Sequence, residues 1–448
     1  MIKIEKKLLG MAVAAALFSL AAQADDSAKT TSAGNWDGEF GLQYRQFYKY
    51  ADVPPSAPAQ DMDTSSASLL AHYNYQWNGG KDTFAFTPFM RYDSMDPARS
   101  HVDLREMMWT WDRDSWVWHA GVGKVFWGVS EANHLVDVVN QTDMVEDIKG
   151  EDKLGQPMLR ATHRGKWGTL DMFVMSGFRE RTLPSSYGRP GSGLALQDYR
   201  VDYQSPDGNM QPELAMRWSK STGALDIGVS GFVGNNRTPQ LLTTGGVPLL
   251  GLNASSVPFA VNLDAILARF ATLTPAQQAA VQQTLQSNSS LYYSRLSQFG
   301  LDASYLVGDW TFKFEGVYRD IGSDSYSASV LGLERTYSGV FNKPWDITYY
   351  AEYNNDSRGN NGQAVLQNDM FLGARLALND AASTEIKLGG FFDLNNSDRS
   401  IRLEASRRIG DKWKARFIGQ SFYVRDTNDV LYMYHDDSYA QVDLIRYF

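Results

Sequence analysis

Residues 310–319 read WTFKFEGVYR, and this stretch decides the fold. Aromatic and small residues hold every second position, while Lys313, Glu315 and Arg319 stand in the positions between them. Successive side chains of a β-strand point to opposite faces, so this segment has one apolar and one charged face. The same alternation recurs at 226–233, 346–353, 370–378 and 385–392. Together these segments predict an all-β fold, a transmembrane antiparallel β-barrel with apolar faces against lipid and polar faces lining the lumen.

The connections between such segments alternate between short and long. Turn-like links fall at 78–82, 112–115, 165–168, 221–224, 307–309, 341–344, 379–381 and 410–412. Longer polar links fall at 49–65, 93–100, 127–156, 179–211, 235–294, 322–328, 355–365, 394–399 and 424–436. Eight short and nine long links join about 18 strands. This alternation is typical of a barrel with short turns at one end and long loops at the other.

The first 24 residues have the composition of a secretory signal peptide. Three lysines precede an apolar run at 8–22, and Ala22-Gln23-Ala24 forms a cleavage site. The alternative, a membrane anchor, would need an apolar run of about 20 residues. We therefore expect residues 1–24 to be removed, leaving a barrel formed by residues 25–448.

Composition excludes several classes of function. The formal net charge is −9 for the whole chain and becomes −11 without residues 1–24, which disfavours nucleic acid as a partner. The chain has no Cys, so it can form neither disulfides nor a thiolate metal site. Aromatic residues make up 13% of the chain, as expected of a barrel with aromatic girdles. Trp109, Trp111, Trp116 and Trp118 suit such a girdle, or alternatively a sugar-stacking track in the lumen.

The last segment alternates in the same way and ends at Tyr447-Phe448. A terminal Phe on an amphipathic strand resembles the assembly signal of bacterial outer-membrane barrels. This resemblance implies that the strand ending at Phe448 is recognised by the barrel assembly machinery. It also implies a multi-pass location in the outer membrane of a Gram-negative cell, with membrane lipid or lipopolysaccharide as partner. Arg446 lies on the apolar face and is tolerable only near a membrane interface.

The link at 127–156 is long, acidic and irregular, which is uncommon in a loop without a function. Its carboxylates are Glu131, Asp137, Asp143, Glu146, Asp147, Glu151 and Asp152. We predict that this loop folds inward and narrows the lumen, where its carboxylates would select cations. Two alternatives stay open: the carboxylates fix the loop by pairing with Arg on the wall, or they bind Ca²⁺, although their spacing does not match an EF-hand. No other cofactor is expected.

The predicted inward face also carries cations. The candidates are Arg160, Arg217, Lys313, Arg319, Arg375, Arg402 and Arg408. Facing the acidic loop, they would create a transverse field that orients dipolar solutes. The alternative is that these cations only keep the lumen hydrated and have no role in selecting solutes. Arg160 and Arg217 are the strongest candidates, because they lie in mid-strand and nearest in sequence to the loop.

The longest link, 235–294, contains helical signals. Thr274-Pro275-Ala276-Gln277 offers an N-cap, a proline at the first helical position and a capping-box glutamine. The helix is predicted to continue over 278–286, and a second short helix is predicted over 262–270. These helices would either cap the mouth of the barrel or plug its lumen.

Several runs in the chain resemble a largely uncharacterised family of proteobacterial outer-membrane porin-like proteins. They are KVFWG at 124–128, HLVDVVNQTD at 134–143 and GEDKLGQP at 150–157. Further likeness lies at 178–182, 217–219, 228–232, 375–380 and 404–408, so it covers nearly the whole mature chain. More distantly, Trp-Gly followed by Asp-Val-Val-Asn resembles the alginate-export porins, which are eighteen-stranded monomeric channels. Only the barrel and a channel role are implied, because the basic conduit of that family has no position-by-position match here.

These patterns predict a non-enzymatic, porin-like channel for passive diffusion of a small hydrophilic or amphiphilic solute. One alternative is an export conduit for a polysaccharide or lipid. A second is an outer-membrane lipid or lipopolysaccharide hydrolase that uses Ser130, His134 and Asp137. The hydrolase is disfavoured, because no strained nucleophile turn surrounds Ser130.

Overall fold

The computed structural model describes residues 34–50, 62–196, 199–322, 324–359 and 364–448. The signal peptide expected at residues 1–24 lies outside these ranges. No helix in the described ranges is long and apolar enough to cross a membrane.

The described residues form a closed antiparallel β-barrel of 18 strands, here called the wall. Each wall strand pairs with the next one along the chain, and the last pairs with the first, with Glu39 opposite Tyr447 and Phe47 opposite Tyr439. The wall strands are β1 (Asn35–Phe47), β2 (Asp63–Trp77), β3 (Asp82–Asp93), β4 (His101–Arg113), β5 (Trp116–Gly123), β6 (Gln156–Gly165), β7 (Gly168–Met175), β9 (Glu213–Thr222), β10 (Leu225–Asn235), β14 (Arg295–Val307), β15 (Trp310–Asp320), β16 (Ser325–Val340), β17 (Trp345–Asp356), β18 (Asn368–Ala377), β19 (Glu385–Asp393), β20 (Arg399–Ile409), β21 (Trp413–Tyr423) and β22 (Tyr439–Tyr447). The predicted fold class and strand number are confirmed.

The links alternate between the two ends of the barrel, as predicted. Their lengths do not alternate strictly, however. The link between β15 and β16 at the long-loop end has only four residues, 321–324, whereas the link between β18 and β19 at the turn end has seven, 378–384. The side to which a link belongs follows from the antiparallel order of the strands and not from its length.

The outer face of the wall is apolar. Val174, Leu214, Phe299, Phe312, Leu331, Leu372, Leu388 and Val442 are each about half exposed there. The four indoles of 109–118 also face outward, at the turn end, where Trp109 stacks on Trp111 with ring centroids 4.9 Å apart. Between them, Thr110 bonds to His119 at 2.9 Å on the opposite face. The outward direction suits an interfacial girdle and excludes the sugar track in the lumen.

A small α/β unit, here called the cap, lies at the long-loop end. Its sheet contains β8 (Val201–Tyr203), β11 (Gln240–Thr243), β12 (Phe259–Asn262) and β13 (Ser289–Tyr293), in the order β12-β11-β13-β8. Its helices are α1 (Leu263–Ala271) and α2 (Pro275–Asn288). Leu241, Leu250, Phe270 and Leu285 form the centre of a core that also includes Met433 from the last long link. The cap thus joins three long links into one hydrophobic unit.

Both predicted helices exist, and α2 begins at the predicted capping box. Asn262 accepts the backbone N–H of Ala265 at 3.0 Å and begins α1. The capping-box glutamine Gln277 accepts the N–H of Thr274 at 2.9 Å at the start of α2. The buried side chains of both helices pack in a cluster with residues of the other long links, which supports the cap over the plug. The four short strands of the cap were not predicted.

Candidate functional site

The segment between β5 and β6, residues 124–155, folds into the lumen and is here called the inner loop. Glu315 of β15 is fully buried and holds its first part. The Glu315 carboxylate accepts the N–H groups of Val129 at 2.7 Å, Ser130 at 2.9 Å and Val136 at 3.2 Å. It also accepts the Ser130 hydroxyl at 2.5 Å. Four donors converge on one carboxylate, so the backbone of the loop is fixed without any cation.

A second carboxylate on the wall holds the next turn of the inner loop. Glu352 of β17 accepts the N–H groups of Glu131 at 2.5 Å and Ala132 at 3.0 Å. Beside it, Asn354 accepts the side-chain amide of Asn133 at 2.8 Å. The tip of the loop, residues 129–136, is therefore attached to β15 and β17.

Arginines hold the carbonyl groups of the inner loop. Arg319 of β15 donates to the carbonyl of Leu135 at 2.8 Å. Arg237, which follows β10, donates to the carbonyls of Val138 at 2.9 Å and Val139 at 2.7 Å. Arg237 is itself paired with the buried Glu213 at 2.8 Å. Wall carboxylates, the wall residue Arg319 and the neighbouring Arg237 thus satisfy successive N–H and C=O groups that the irregular loop leaves without backbone partners.

Apolar packing fills the same side of the lumen. Val136, Val138 and Val139 of the inner loop are buried in a cluster with Trp127. The cluster includes wall residues of β4, β6, β7, β9, β10, β14, β15 and β16, namely Met108, Met158, Phe173, Met175, Ala215, Phe232, Leu296, Val317 and Ala328. The loop closes this half of the barrel, so open space remains on the other half.

Most of the acidic side chains of the inner loop are anchors. Asp143 is fully buried and pairs with Arg105 at 2.6 Å. Glu146 pairs with Arg91 at 2.7 Å, which holds the pKa of Glu146 below its usual range against the opposing effect of burial. These contacts fit the scaffolding alternative, in which carboxylates pair with arginines on the wall.

Two further carboxylates pair within or across the loop. Asp147 lies 3.0 Å from Arg402, and this pairing keeps the pKa of Asp147 low despite its burial. Asp137 pairs with Lys153 at 3.4 Å, within the inner loop. Burial nevertheless raises the pKa of Asp137, because Lys153 offsets only part of the desolvation.

Glu131, Glu151 and Asp152 lie on the open side. They border a cavity of about 430 Å³ between the inner loop and strands β17 to β21, here called the eyelet. The opposite side of the eyelet is basic. It is lined by Arg375, Lys387, Arg402 and Arg416, together with Glu404, Tyr350, Phe371 and Phe391. Carboxylates and Lys149 of the inner loop therefore face a largely basic stretch of the wall.

The charges of the eyelet are unequally compensated. Arg375 and Lys387 share Glu385 at 2.6 Å and 3.1 Å, and Arg416 pairs with Asp443 at 2.7 Å. Within the described ranges, Glu131 and Asp152 have no side-chain ion pair. Burial raises the pKa of Asp152 to about 6, and repulsion by the nearby Asp147 and Glu146 adds to this effect. Desolvation also raises the pKa of Glu131. When the lining side chains are counted together with the wall partners Glu385 and Asp443, seven carboxylates face five cations, so the eyelet has an excess of negative charge at neutral pH that weakens on acidification.

The remaining predicted cations have other places. Arg160 pairs with Asp171 at 2.7 Å on the neighbouring strand, and Arg217 of β9 reaches across Gly228 of β10 to pair with Asp302 of β14. The prediction that Arg160 and Arg217 are the strongest partners of the acidic loop is wrong, because nearer carboxylates of the wall neutralise them. Lys313 pairs with Glu334 at 2.7 Å. Arg408 is exposed close to the 410–412 turn, outside the eyelet lining.

The three side chains considered for acyl chemistry do not form a triad. The single hydrogen of the Ser130 hydroxyl lies between two acceptors, Glu315 at 2.5 Å and the carbonyl of Asn133 at 2.6 Å, and neither acceptor is His134. The His134 ring packs edge-on against Phe126, with centroids 4.8 Å apart, and Asp137 pairs with Lys153. Among the described residues, no three His, Asp or Glu side chains are arranged to hold a metal ion. Ca²⁺ in the loop stays a prediction without a defined ligand set.

Sequence reasoning missed several anchors of the inner loop. Arg91 and Arg105 lie on β3 and β4, where a register shift at Thr87/Pro88 interrupts the pairing and hides the alternation. Arg237 lies outside any wall strand. Glu315 and Glu352 stand on inward faces that the alternation identifies, but only the structure shows that they bind backbone N–H groups.

Comparisons with known proteins give a general likeness of fold. No family model matches the chain, and no curated protein matches it by sequence, so the resemblance drawn from its motifs stays a prediction. OccD3 (OpdP) of Pseudomonas aeruginosa is 9% identical with a TM-score of 0.48, covering 94% of this chain and 92% of that one. A BenF-like porin from Pseudomonas fluorescens Pf-5 is 9% identical with a TM-score of 0.48, covering 93% and 98%. OmpT, an outer membrane protein of Vibrio cholerae, is 10% identical with a TM-score of 0.40, covering 93% and 100%.

Proposed function

We propose that this chain forms a pore in the outer membrane through which small hydrophilic or amphiphilic solutes diffuse passively. The observation that carries the proposal is the eyelet, a charged cavity of about 430 Å³ between the inner loop and the opposite wall. The loop is held by buried hydrogen bonds to Glu315 and Glu352 and therefore keeps a defined width beside it. A fixed, charged constriction inside a barrel is what a diffusion pore needs for selection by size and charge.

The charges of the eyelet favour dipolar solutes and cations. Glu131 and Asp152 border it on the loop side, and Arg375 and Arg416 on the wall side. Opposite charges across a narrow, partly desolvated opening create a transverse field that orients a solute with separated charges. Because the wall cations are paired and the two loop carboxylates are not, we expect a modest preference for K⁺ over Cl⁻.

The outer surface supports a location in the membrane. Half-exposed apolar side chains cover the outer face of the wall, and indoles gather at the turn end. Arg446 also faces outward there, with its guanidinium carbon 5.9 Å from the centre of the Trp413 ring. Aromatic and cationic side chains of this kind suit the level of lipid head groups. Outer-membrane lipid or lipopolysaccharide, and the assembly machinery acting on the strand that ends at Phe448, are the partners we propose.

Planar-bilayer recording of the purified protein tests the pore. The proposal expects stepwise conductance in KCl and a reversal potential displaced toward K⁺ in a salt gradient. An export conduit that opens only with its inner-membrane partners would be silent until the inner loop is deleted. A hydrolase would lose turnover on Ser130→Ala while the barrel stays folded. Silence of the full-length protein, with the barrel intact in detergent, would overturn the proposal.

A further inference from the structure

An aromatic surface lies on the wall side of the eyelet. Phe371 of β18 and Phe391 of β19 face each other across the strand pair, with ring centroids 5.1 Å apart and planes at 48°. The next inward pair is Gly373 opposite Gly389. A Cβ atom at Gly389 would stand 2.8 Å from the Phe371 ring, and one at Gly373 would stand 3.0 Å from it. The Phe371 ring therefore lies over the two glycines, flat along the wall.

Tyr350 of β17 extends this surface on the other side. Its ring lies 3.5 Å from the position a Cβ atom of Gly373 would take. Tyr350, Phe371 and Phe391, here called the aromatic patch, all border the eyelet. The inward face of a water-filled barrel is generally polar, so three neighbouring aromatic side chains at its narrow point are unusual.

Charges of both signs surround the aromatic patch. Glu352 is directly opposite Phe371 in the strand register and holds the backbone N–H of Glu131, which places Glu131 beside the patch. On the turn side stand Arg375 and Lys387, which follow the inward pair of glycines. The patch thus has an unpaired carboxylate on one side and a guanidinium with an ammonium on the other.

From this juxtaposition we propose that the eyelet binds aromatic zwitterions, solutes with a flat ring, a carboxylate and an ammonium group. The ring stacks on Phe371, the carboxylate meets Arg375 and Lys387, and the ammonium group meets Glu131. Stacked aromatic rings interact favourably beyond simple burial of apolar area. A solute with only one of these two charged groups would interact with only one side of the eyelet and would bind more weakly. This proposal rests on the proposed pore and names its substrate class.

The test uses four probes that differ by one feature each. L-phenylalanine has ring, carboxylate and ammonium; L-alanine lacks the ring; 3-phenylpropionate lacks the ammonium group; 2-phenylethylamine lacks the carboxylate. Each is added to single pores in a planar bilayer, and the duration of current blockades is measured. We expect blockades by L-phenylalanine to last about three- to tenfold longer than those by L-alanine, as ring stacking predicts, and longer than those by both single-charge probes.

Two variants locate the effect. Phe371→Leu removes the ring but keeps an apolar side chain, and Gly389→Ala introduces a methyl group that lifts the Phe371 ring from the wall. Both should shorten L-phenylalanine blockades to the level of L-alanine while KCl conductance persists. Phe417→Leu, on the outer face and 38% exposed, is the matched control and should behave as the unmodified protein.

The outcomes separate this proposal from the pore itself. Equal blockades by L-phenylalanine and L-alanine, or full retention in Phe371→Leu, would overturn the aromatic site although the pore conducts. Blockades by 3-phenylpropionate or 2-phenylethylamine as long as those by L-phenylalanine would overturn the zwitterion class. Absence of any KCl conductance would instead overturn the pore.

Discussion

Glu315 offers the sharpest test of how the inner loop is held. It is fully buried, accepts four hydrogen bonds from Val129, Ser130 and Val136, and forms none of the ion pairs found among the described residues. Glu315→Gln preserves its shape but removes its charge. One amide oxygen can still accept the three bonds made by Oε1, whereas the amide NH₂ would face the N–H of Val136.

The magnitude follows from the strength of these bonds. A hydrogen bond to a charged group contributes about 1.5–3 kcal/mol, and one between neutral groups contributes about 1 kcal/mol. Weakening three bonds by about 0.5–2 kcal/mol each and losing the fourth should cost the loop tip about 3–9 kcal/mol of local stability. Its attachment to Glu352 remains, so we expect transient release of residues 129–136 and not unfolding of the barrel.

Single-channel recording measures this release. Glu315→Gln should show a noisier open current with excursions to higher conductance, because the tip leaves the lumen part of the time. Glu334→Gln is the matched control, since Glu334 is an inward carboxylate that pairs with Lys313. It should show a steady current. Equal noise and conductance in the unmodified protein and Glu315→Gln would refute this account of the loop.

Further predictions concern charge and stability. Glu131→Gln and Asp152→Asn should each lower the K⁺/Cl⁻ permeability ratio by up to about sevenfold, because one charge at about 7 Å in water changes the energies of K⁺ and Cl⁻ by about 0.6 kcal/mol in opposite directions. Reversal potentials measure this ratio. The pKa of Asp152 is raised to about 6, so its carboxylate becomes neutral as the pH falls through that value. The K⁺/Cl⁻ permeability ratio should therefore also fall between pH 7 and pH 5. Asp152→Asn should show a smaller fall over that interval, and an identical fall would contradict the assignment. Arg237→Ala leaves Glu213 buried without its partner and should destabilise the protein by about 3–5 kcal/mol, seen as a lower thermal unfolding temperature in detergent. Arg200→Ala, whose side chain is 78% exposed, should leave that temperature unchanged.

The barrel could be predicted because its cause is local. The alternation of apolar and polar residues along a strand such as 310–319 is visible in consecutive residues, and the polar and turn-forming residues of each link identify it as a link. The helices α1 and α2 were also predictable, since Asn262 and Gln277 cap them through bonds within a few residues. Features that depend on neighbouring residues therefore appear in the sequence.

The partners of the inner loop could not be predicted, because they are distant along the chain. The bond between Ser130 and Glu315 joins residues 185 positions apart, and that between Asp147 and Arg402 joins residues 255 apart. Sequence proximity suggested Arg160 and Arg217 instead, but the closed barrel brings every wall strand near the loop. In a closed barrel, nearness in sequence therefore does not predict which wall residues contact the inner loop.

The roles of the individual acidic residues of the inner loop could not be predicted from the sequence either. The sequence gives no reason to separate Asp143 and Glu146, which bind wall arginines, from Glu131 and Asp152, which border the eyelet. From the sequence, constriction and scaffolding are alternatives for one set of residues. The structure divides the set, so that some carboxylates fix the loop and others face the cavity.

Cysteine accessibility tests most directly whether solutes pass between the inner loop and the wall, and the chain has no native Cys to interfere. Lys387 lines the eyelet, whereas Leu372 of the adjacent strand β18 is about half exposed on the outer face and does not line it. A water-soluble methanethiosulfonate reagent, added while current flows through single pores, should reduce the current of Lys387→Cys and leave that of Leu372→Cys unchanged. An unchanged current in Lys387→Cys, with its thiol shown to be modified, would contradict a path through the eyelet.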